Sequence, residues 1–187
     1  MNSFLELAKN RRSVRSYSAA DISRKDLEIC IEAARYSPSA CHSQPWSFII
    51  IDDPEKRKFT AEAVAYGPGG MNSFAREARA FIAIVAEKQV LPAWLGGKAR
   101  NVNFRHIDIG IACAHLVLQA QDLGIGTCIL GWFNERRLKR ILSVPFRKKI
   151  ELVIALGYPS EQDLPEKHLK DRKELLSFNS YKKSPLV

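Results

Sequence analysis

Long apolar runs are missing from this chain of 187 residues. A bilayer-spanning helix takes about 20 consecutive apolar residues, so no membrane span is expected. The opening Met-Asn-Ser-Phe-Leu-Glu-Leu lacks the basic stretch and apolar run of a secretory signal, and cytoplasmic residence is the expectation. Cysteine is sparse: Cys30, Cys41, Cys113 and Cys128 are scattered, with no Cys-x-x-Cys pair. Three of the four stand among apolar residues, which predicts buried free thiols rather than disulfides or a metal site. The chain has no Gly-x-Gly-x-x-Gly and no Walker loop, which argues against a Rossmann or P-loop nucleotide site. It has no Gly-x-Ser-x-Gly nucleophile elbow, no internal repeat and no low-complexity tract. The stretches that look chemical supply donors, cations and backbone rather than a nucleophile and its base. Such a set suits a site in which a bound cofactor carries the chemistry.

What is present is ordinary globular composition, 46% hydrophobic and 26% charged. The length allows one sizeable core. Residues 1–159 read as that core and 160–187 as a polar C-terminal arm too poor in apolar residues to fold alone. Net charge is +9, from 29 Lys+Arg against 20 Asp+Glu, which favours anionic partners. The densest basic cluster, Arg136 to Lys149, has Phe146 as its only aromatic and reads as a solvated helix face and the following turn. Nucleic acid is therefore not an expected partner. A small phosphate-bearing molecule is the better use of the charge.

Hydrophobic period and capping residues predict the elements. Ser3 and Glu6 form a capping box for a helix ending near Asn10. Ser23 and Asp26 open a second helix, with Ile22 and Leu27 as its staple and Leu27, Ile31 and Ala34 on its inner face. Pro38 ends that helix, because it has no N–H and disfavours helical geometry at Ser37. Ser47–Ile51 and Phe81–Ala86 read as strands buried on both faces. Asp53 caps a helix with Pro54 at its first position, running to about Tyr66. Residues 72–79 form one or two helical turns. Residues 89–105, with Pro92, Trp94, Gly96 and Gly97, lack a clean period and read as irregular, either a lid over a site or a variable surface excursion. Ile107–Leu123 is apolar nearly all round, hence central or at a subunit interface, with Gly124 as its C′ residue. His115 within it is expected to be a satisfied core or interface histidine. Ile125–Phe133 reads as a strand turning at Gly131, Asn134 caps a helix that Pro145 stops, and Ile150–Leu156 is a last strand.

Two stretches carry the candidate chemistry. Arg11, Arg12 and Arg15 surround Ser13 just after the first helix; guanidinium forks and a hydroxyl make an oxyanion clamp. Pro38 to Trp46, Pro-Ser-Ala-Cys-His-Ser-Gln-Pro-Trp, is too long for a tight turn and presents Ser39, His42, Ser43, Gln44 and backbone N–H groups to a flat polar ligand.

These stretches, with Leu-Gly-Ile-Gly-Thr-Cys-Ile-Leu-Gly-Trp-Phe at 123–133, Ala-Leu-Gly-Tyr-Pro at 155–159 and Lys-Asp-Arg at 170–172, stand in an order that resembles the nitroreductase family of FMN enzymes. The resemblance spans nearly the whole chain. It implies an α+β fold: a central, mostly antiparallel sheet flanked by helices, in an intertwined homodimer with C-terminal arm exchange. It implies FMN as cofactor and NADH or NADPH as reductant. Arg11, Ser13 and Arg15, with Arg12 beside them, match residues that hold the FMN phosphate and the pyrimidine side of the ring. Lys170 and Arg172 match late basic residues that complete the phosphate site. Pro38, Ser39, Ala40, His42 and Gln44 match the loop that a second subunit lays against the flavin. Leu130 and Gly131, with Ile129 before them, match backbone facing flavin N5 and O4, and Asn72 matches a residue near the pyrimidine edge. No side chain is implied as a catalytic acid or base, and no metal. The implied activity passes hydride from NAD(P)H through the flavin to a nitroaromatic, quinone or similar small acceptor by a ping-pong scheme. A reductive dehalogenase or a non-catalytic flavin-binding protein would fit the same residues. His42 departs from the family's usual asparagine, and Leu130 from an acidic residue found in some members.

Overall fold

The computed structural model describes residues 3–160 and 167–181. Four strands form one antiparallel sheet in the order β1-β2-β4-β3, with β1 Trp46–Ile51, β2 Ala80–Ala86, β3 Gly126–Leu130 and β4 Lys149–Gly157. The two inner strands are the apolar runs that must be covered on both faces. All seven residues of β2 are buried. In β1 only Trp46 and Ile51 are buried and the four between are half-buried, contrary to the expectation of full burial. The cause is position: β1 is a sheet edge, and its neighbours cover it incompletely.

Helices cover both faces. On one lie α2 (Arg24–Arg35) and α5 (Phe104–Asp122), which bury Leu27, Cys30, Ala34, Leu116 and Val117 against Ile82, Ile84 and Ile154. On the other lie α3 (Pro54–Val64) and α6 (Glu135–Ile141), packed through Val64 and Leu138 on Phe81, Val85 and Val153. Each large apolar side chain fully buried in these layers contributes about 1.5–3 kcal/mol. The caps work as their residues predict. Ser23 Oγ accepts the Asp26 N–H at 3.0 Å and Asp53 Oδ1 accepts the Lys56 N–H at 2.9 Å. His115 is half-buried, its Nδ1 3.3 Å from the Ala33 carbonyl, so the ring is partnered within the helical layer.

Three boundaries differ from expectation. Residues 91–100 are a helix, α4 (Leu91–Arg100), not an irregular excursion. Pro92 falls in its first turn, where proline is tolerated, and Asn101 ends it in the left-handed region at φ +51°. α5 begins at Phe104, a turn earlier than its apolar pattern. β3 ends at Leu130, with Gly131 and Trp132 outside it and exposed.

Two segments precede and follow this core. α1 (Phe4–Asn10) leads into an extended stretch, 11–18, laid along the outer edge of β3. In the arm, residues 161–166 and 182–187 lie outside the described residues, and 172–175 form a short helix, α7 (Arg172–Leu175). Among the described residues no helix is long and apolar enough to cross a membrane.

Candidate functional site

The basic stretch is fixed by two buried side chains. Val14 and Tyr17 are buried while Ser13 and Arg15 are exposed, so two side chains anchor the stretch and leave the polar ones outward. The Val14 N–H donates to the Thr127 carbonyl at 2.9 Å, making a parallel bridge between Ser13 and Thr127. Farther on, the Ser18 N–H donates to the Tyr158 carbonyl at 2.8 Å. The Tyr17 hydroxyl donates to the Val14 carbonyl at 2.9 Å, and the Ala155 carbonyl lies 3.4 Å away. Burial holds that hydroxyl's pKa well above its ordinary value, so it stays a donor.

Two glycines make room for this. A Cβ on Gly126 would come within 2.7 Å of Val14 Cγ2, and one on Gly157 within 2.6 Å of Tyr17 Cδ1. The backbone of β3 and β4 is thus open where the basic stretch lies down.

The result is a cationic corner. Arg11 and Arg12 follow α1, and Arg12 bonds back to the Lys9 and Arg11 carbonyls. Lys167, from the far end of the chain, reaches the Ala8 carbonyl with its Nζ. Burial and the adjacent Arg11 and Arg12 guanidiniums lower its pKa below the ordinary lysine value. Arg15 and Arg11 are close enough to Cys128 on β3 to oppose the upward push of burial on its thiol. Arg15 also lies over the Phe74 ring, 5.9 Å from its centroid. Cations from both ends of the chain therefore meet beside β3, and their mutual repulsion is what an anion would relieve.

β3 itself ends in open backbone. Leu130 is buried, Ile129 is 44% exposed, and Gly131 has open space where a side chain would be. Asn72 comes from the turn after α3; its Nδ2 donates to the Trp132 carbonyl at 3.0 Å and to the Val64 carbonyl at 3.3 Å. It fixes the 131–134 loop rather than presenting a free amide.

The 38–44 loop forms a second group. Cys41, His42 and Gln44 all have left-handed φ, at +50°, +52° and +44°. Such residues cost about 1 kcal/mol or more each and persist only where surroundings impose them. Here the impositions are explicit. The Gln44 N–H donates to Ser39 Oγ at 2.9 Å, the Val90 N–H to Ser43 Oγ at 2.9 Å, and the Ala40 N–H to Asp108 Oδ1 at 3.0 Å. Gln44 Nε2 and His42 Nε2 are 3.0 Å apart. Pro38, His42 and Gln44 are exposed, and Ser39 and Ala40 half-buried.

In one protomer these two groups do not meet. The loop feeds β1 and the cationic corner flanks β3, the opposite edges of the sheet. Three strand spacings of about 4.8 Å separate those edges, roughly 14 Å. The late cations also distribute unexpectedly. Lys170 is exposed and Arg172 opens α7; the arm residue whose charge feels Arg11 and Arg12 is Lys167. Sequence reasoning missed Lys167, Tyr17 and Asp108. Nothing local marks Lys167, whereas the glycines at 126 and 157 were a signal that a side chain packs close by.

The donor set suits an organic phosphate joined to a planar polar ring: guanidiniums, an ammonium, a hydroxyl and open backbone beside Gly131. Comparison with known proteins agrees. A sequence model of the nitroreductase family matches residues 8–158. A protein of Archaeoglobus fulgidus provisionally named NADH dehydrogenase/NAD(P)H nitroreductase is 32% identical over 87% of this chain and 88% of its own. Iodotyrosine deiodinase 1 of Sus scrofa is 28% identical over 89% of this chain, which spans 66% of that longer protein. Among solved structures, the FMN-dependent nitroreductase of Clostridium difficile R20291 superposes with a TM-score of 0.73 at 25% identity, covering 95% of this chain and 99% of that one.

Proposed function

This chain belongs to the nitroreductase family, and from that premise we propose that it is an FMN-dependent NAD(P)H oxidoreductase acting on a small acceptor such as a nitroaromatic or quinone. The observation that carries this reading is the convergence of Arg11, Arg12 and Lys167 next to the stretch bridged to β3. Arg11, Arg12 and Lys167 would hold the flavin phosphate, with the Ser13 hydroxyl and Arg15 as further donors. Gly131, exposed at the end of β3, would let backbone approach the ring edge. Lys170 and Arg172 would join the phosphate site with the arm in place. When bound, flavin supplies two-electron transfer, accepting hydride from the nicotinamide and passing it to an acceptor in a ping-pong cycle. The protein's own part is binding, orientation and a positive field that favours reduced, anionic flavin.

The working unit in this reading is a homodimer. The 38–44 loop stands on the sheet edge away from the cationic corner, so a second copy must bring it to the ring. The exposed apolar residues of the arm, Leu175, Phe178 and Tyr181, suit an arm that crosses to that copy. The purified protein should be yellow and dimeric, and NADH or NADPH should bleach the flavin band under anaerobic conditions. A colourless protein that takes up no FMN would refute the reading; a yellow one that no nicotinamide reduces would be a flavin carrier. The similarity to the porcine deiodinase favours one variant, reductive loss of halide from a halogenated phenol. Single turnover of the reduced protein with 3-iodotyrosine against a nitroaromatic separates the two.

A further inference from the structure

Between the exit of β2 and the start of α5, under α4, lies a cleft of about 390 Å³ lined by Gln89, Trp94, Lys98, Asn101, Asn103 and Arg105 among others. That volume falls within the range of small-molecule sites. Its wall holds two cations and no acidic residue. Two side-chain donors in it, Gln89 Nε2 and Arg105 Nε, are enclosed without a hydrogen-bond partner. Buried donors are nearly always paired in folded proteins, and leaving one unpaired costs stability. Both residues line the cleft, so an acceptor entering it would be offered two donors that nothing else in the described residues satisfies.

The surroundings define that acceptor. Arg105 is backed by Glu151, its Nη2 4.0 Å from Glu151 Oε1, but Glu151 also answers Lys149 at 3.6 Å and His106 at 3.4 Å. One carboxylate shared between two permanent cations leaves the cleft positive. Trp94 offers a flat, half-exposed indole with Lys98 Nζ 5.9 Å from its ring centroid. Fixed donors, positive charge and an aromatic plate together fit a planar molecule that ends in an anionic group. The cleft also adjoins the 38–44 loop, through the bond from the Val90 N–H to Ser43 Oγ.

We propose that this cleft is a subsite for the anionic end of a planar substrate. The shared chemistry is an anionic oxygen group, which a carboxylated aromatic acceptor or the 2′-phosphate of NADPH would supply. The inference rests on the oxidoreductase reading for its choice of ligands, and places the discrimination between them in α4 and the residues flanking it.

Calorimetry on the flavin-loaded protein tests it without turnover. The probes are 4-nitrobenzoate against 4-nitrobenzyl alcohol, and NADP⁺ against NAD⁺, none of which reacts with the oxidised flavin. At least one anionic member should bind about tenfold more tightly than its partner, and Lys98→Met and Gln89→Leu should each erase most of that margin. Gln89→Leu should leave the melting temperature unchanged or raised, because it removes an unpaired buried donor. A response confined to the benzoate pair identifies the acceptor as the ligand; one confined to the nicotinamide pair identifies the 2′-phosphate of the reductant. Equal affinities within both pairs, or margins that survive both variants, overturn the proposal. Failure of NADH and NADPH to reduce the flavin would instead sink the oxidoreductase reading, and the two failures are read separately.

Discussion

Tyr17 fills a slot left by Gly157: a Cβ on that glycine would sit 2.6 Å from Tyr17 Cδ1 and 2.8 Å from its Cγ. The contact joins the last residue of β4 to the stretch that carries Ser13 and Arg15. Gly157→Ala should therefore cost about 1–3 kcal/mol by overpacking, and should weaken FMN binding because the basic stretch must move. Tyr17→Phe keeps the slot filled and loses only the hydroxyl's bonds, about 1 kcal/mol. Its FMN affinity should change less than that of Gly157→Ala. Thermal unfolding with a flavin-fluorescence titration distinguishes the two.

Lys167 gives the cationic corner a pH signature. It is a base whose folded pKa is lowered by burial and by Arg11 and Arg12. In the window between that lowered value and its ordinary 10.5, the unfolded chain holds more protons than the folded one. Stability of the flavin-free protein must then rise with pH across the window. A bound phosphate reverses the preference by favouring the ammonium, so FMN affinity should fall as pH climbs through the same range. Lys167→Met should flatten both dependences and weaken FMN roughly tenfold. A melting curve in pH steps with and without FMN reads all three effects.

How much of this was legible in the sequence depends on what each signal measures. The apolar run Phe81–Ala86 announced an inner strand, because burial on both faces leaves no room for a polar position. Phe48-Ile49-Ile50-Ile51 looks the same yet lies at an edge, since composition records how apolar a strand is and not what covers it. α4 was hidden because Pro92, Gly96 and Gly97 read as breakers. At the second helical position the proline costs nothing, and the context rather than propensity decides. The two halves of the candidate site were legible as motifs, Arg11–Arg15 and Pro38–Gln44. Their placement on opposite sheet edges was not, because strand order is a tertiary fact. Lys167 was unreadable for the same reason: only the docking of the arm on α1 puts it beside Arg11 and Arg12.

Asp108 is buried at 3% exposure, with Oδ1 accepting the Ala40 N–H at 3.0 Å and Oδ2 unpaired. Burial raises its pKa above the ordinary 3.8. The folded state keeps this proton more firmly, so stability should fall as pH rises from the ordinary aspartate value through the raised one. Asp108→Asn retains an acceptor for Ala40 without a charge and should flatten that fall. Asp108→Leu strands the Ala40 N–H at a cost of about 1–3 kcal/mol. It should loosen residues 39–44 in hydrogen exchange while leaving the exchange of β2 amides unchanged.

His42 is exposed, and its Nε2 is 3.0 Å from Gln44 Nε2. A residue that orients the loop, without exchanging protons with substrate, should affect affinity and not the chemical step. His42→Ala is expected to weaken FMN severalfold while the reduction rate of bound flavin stays within about twofold of the parent. Anaerobic stopped-flow at full flavin occupancy makes the comparison, and a large rate loss there would give His42 a part in proton transfer.

The four thiols should separate by environment, and one of them reports on the loop directly. Burial pushes Cys30 and Cys113 up to about 12 and raises Cys128 as well. Thiolate is the reacting form, so these three should resist a disulfide reagent at neutral pH until the protein unfolds. Cys41 is exposed on the strained turn between Ala40 and His42, and should titrate as a single fast thiol in flavin-free protein. If the 38–44 loop of one subunit closes on the flavin of the other, FMN must shield Cys41 and slow that reaction, while FMN bound at a distance would leave its rate unchanged. Mutating Lys167 should then restore the fast rate at limiting FMN, because the two residues would serve one ligand from two chains. A Cys41 rate indifferent to flavin would place the loop outside the site.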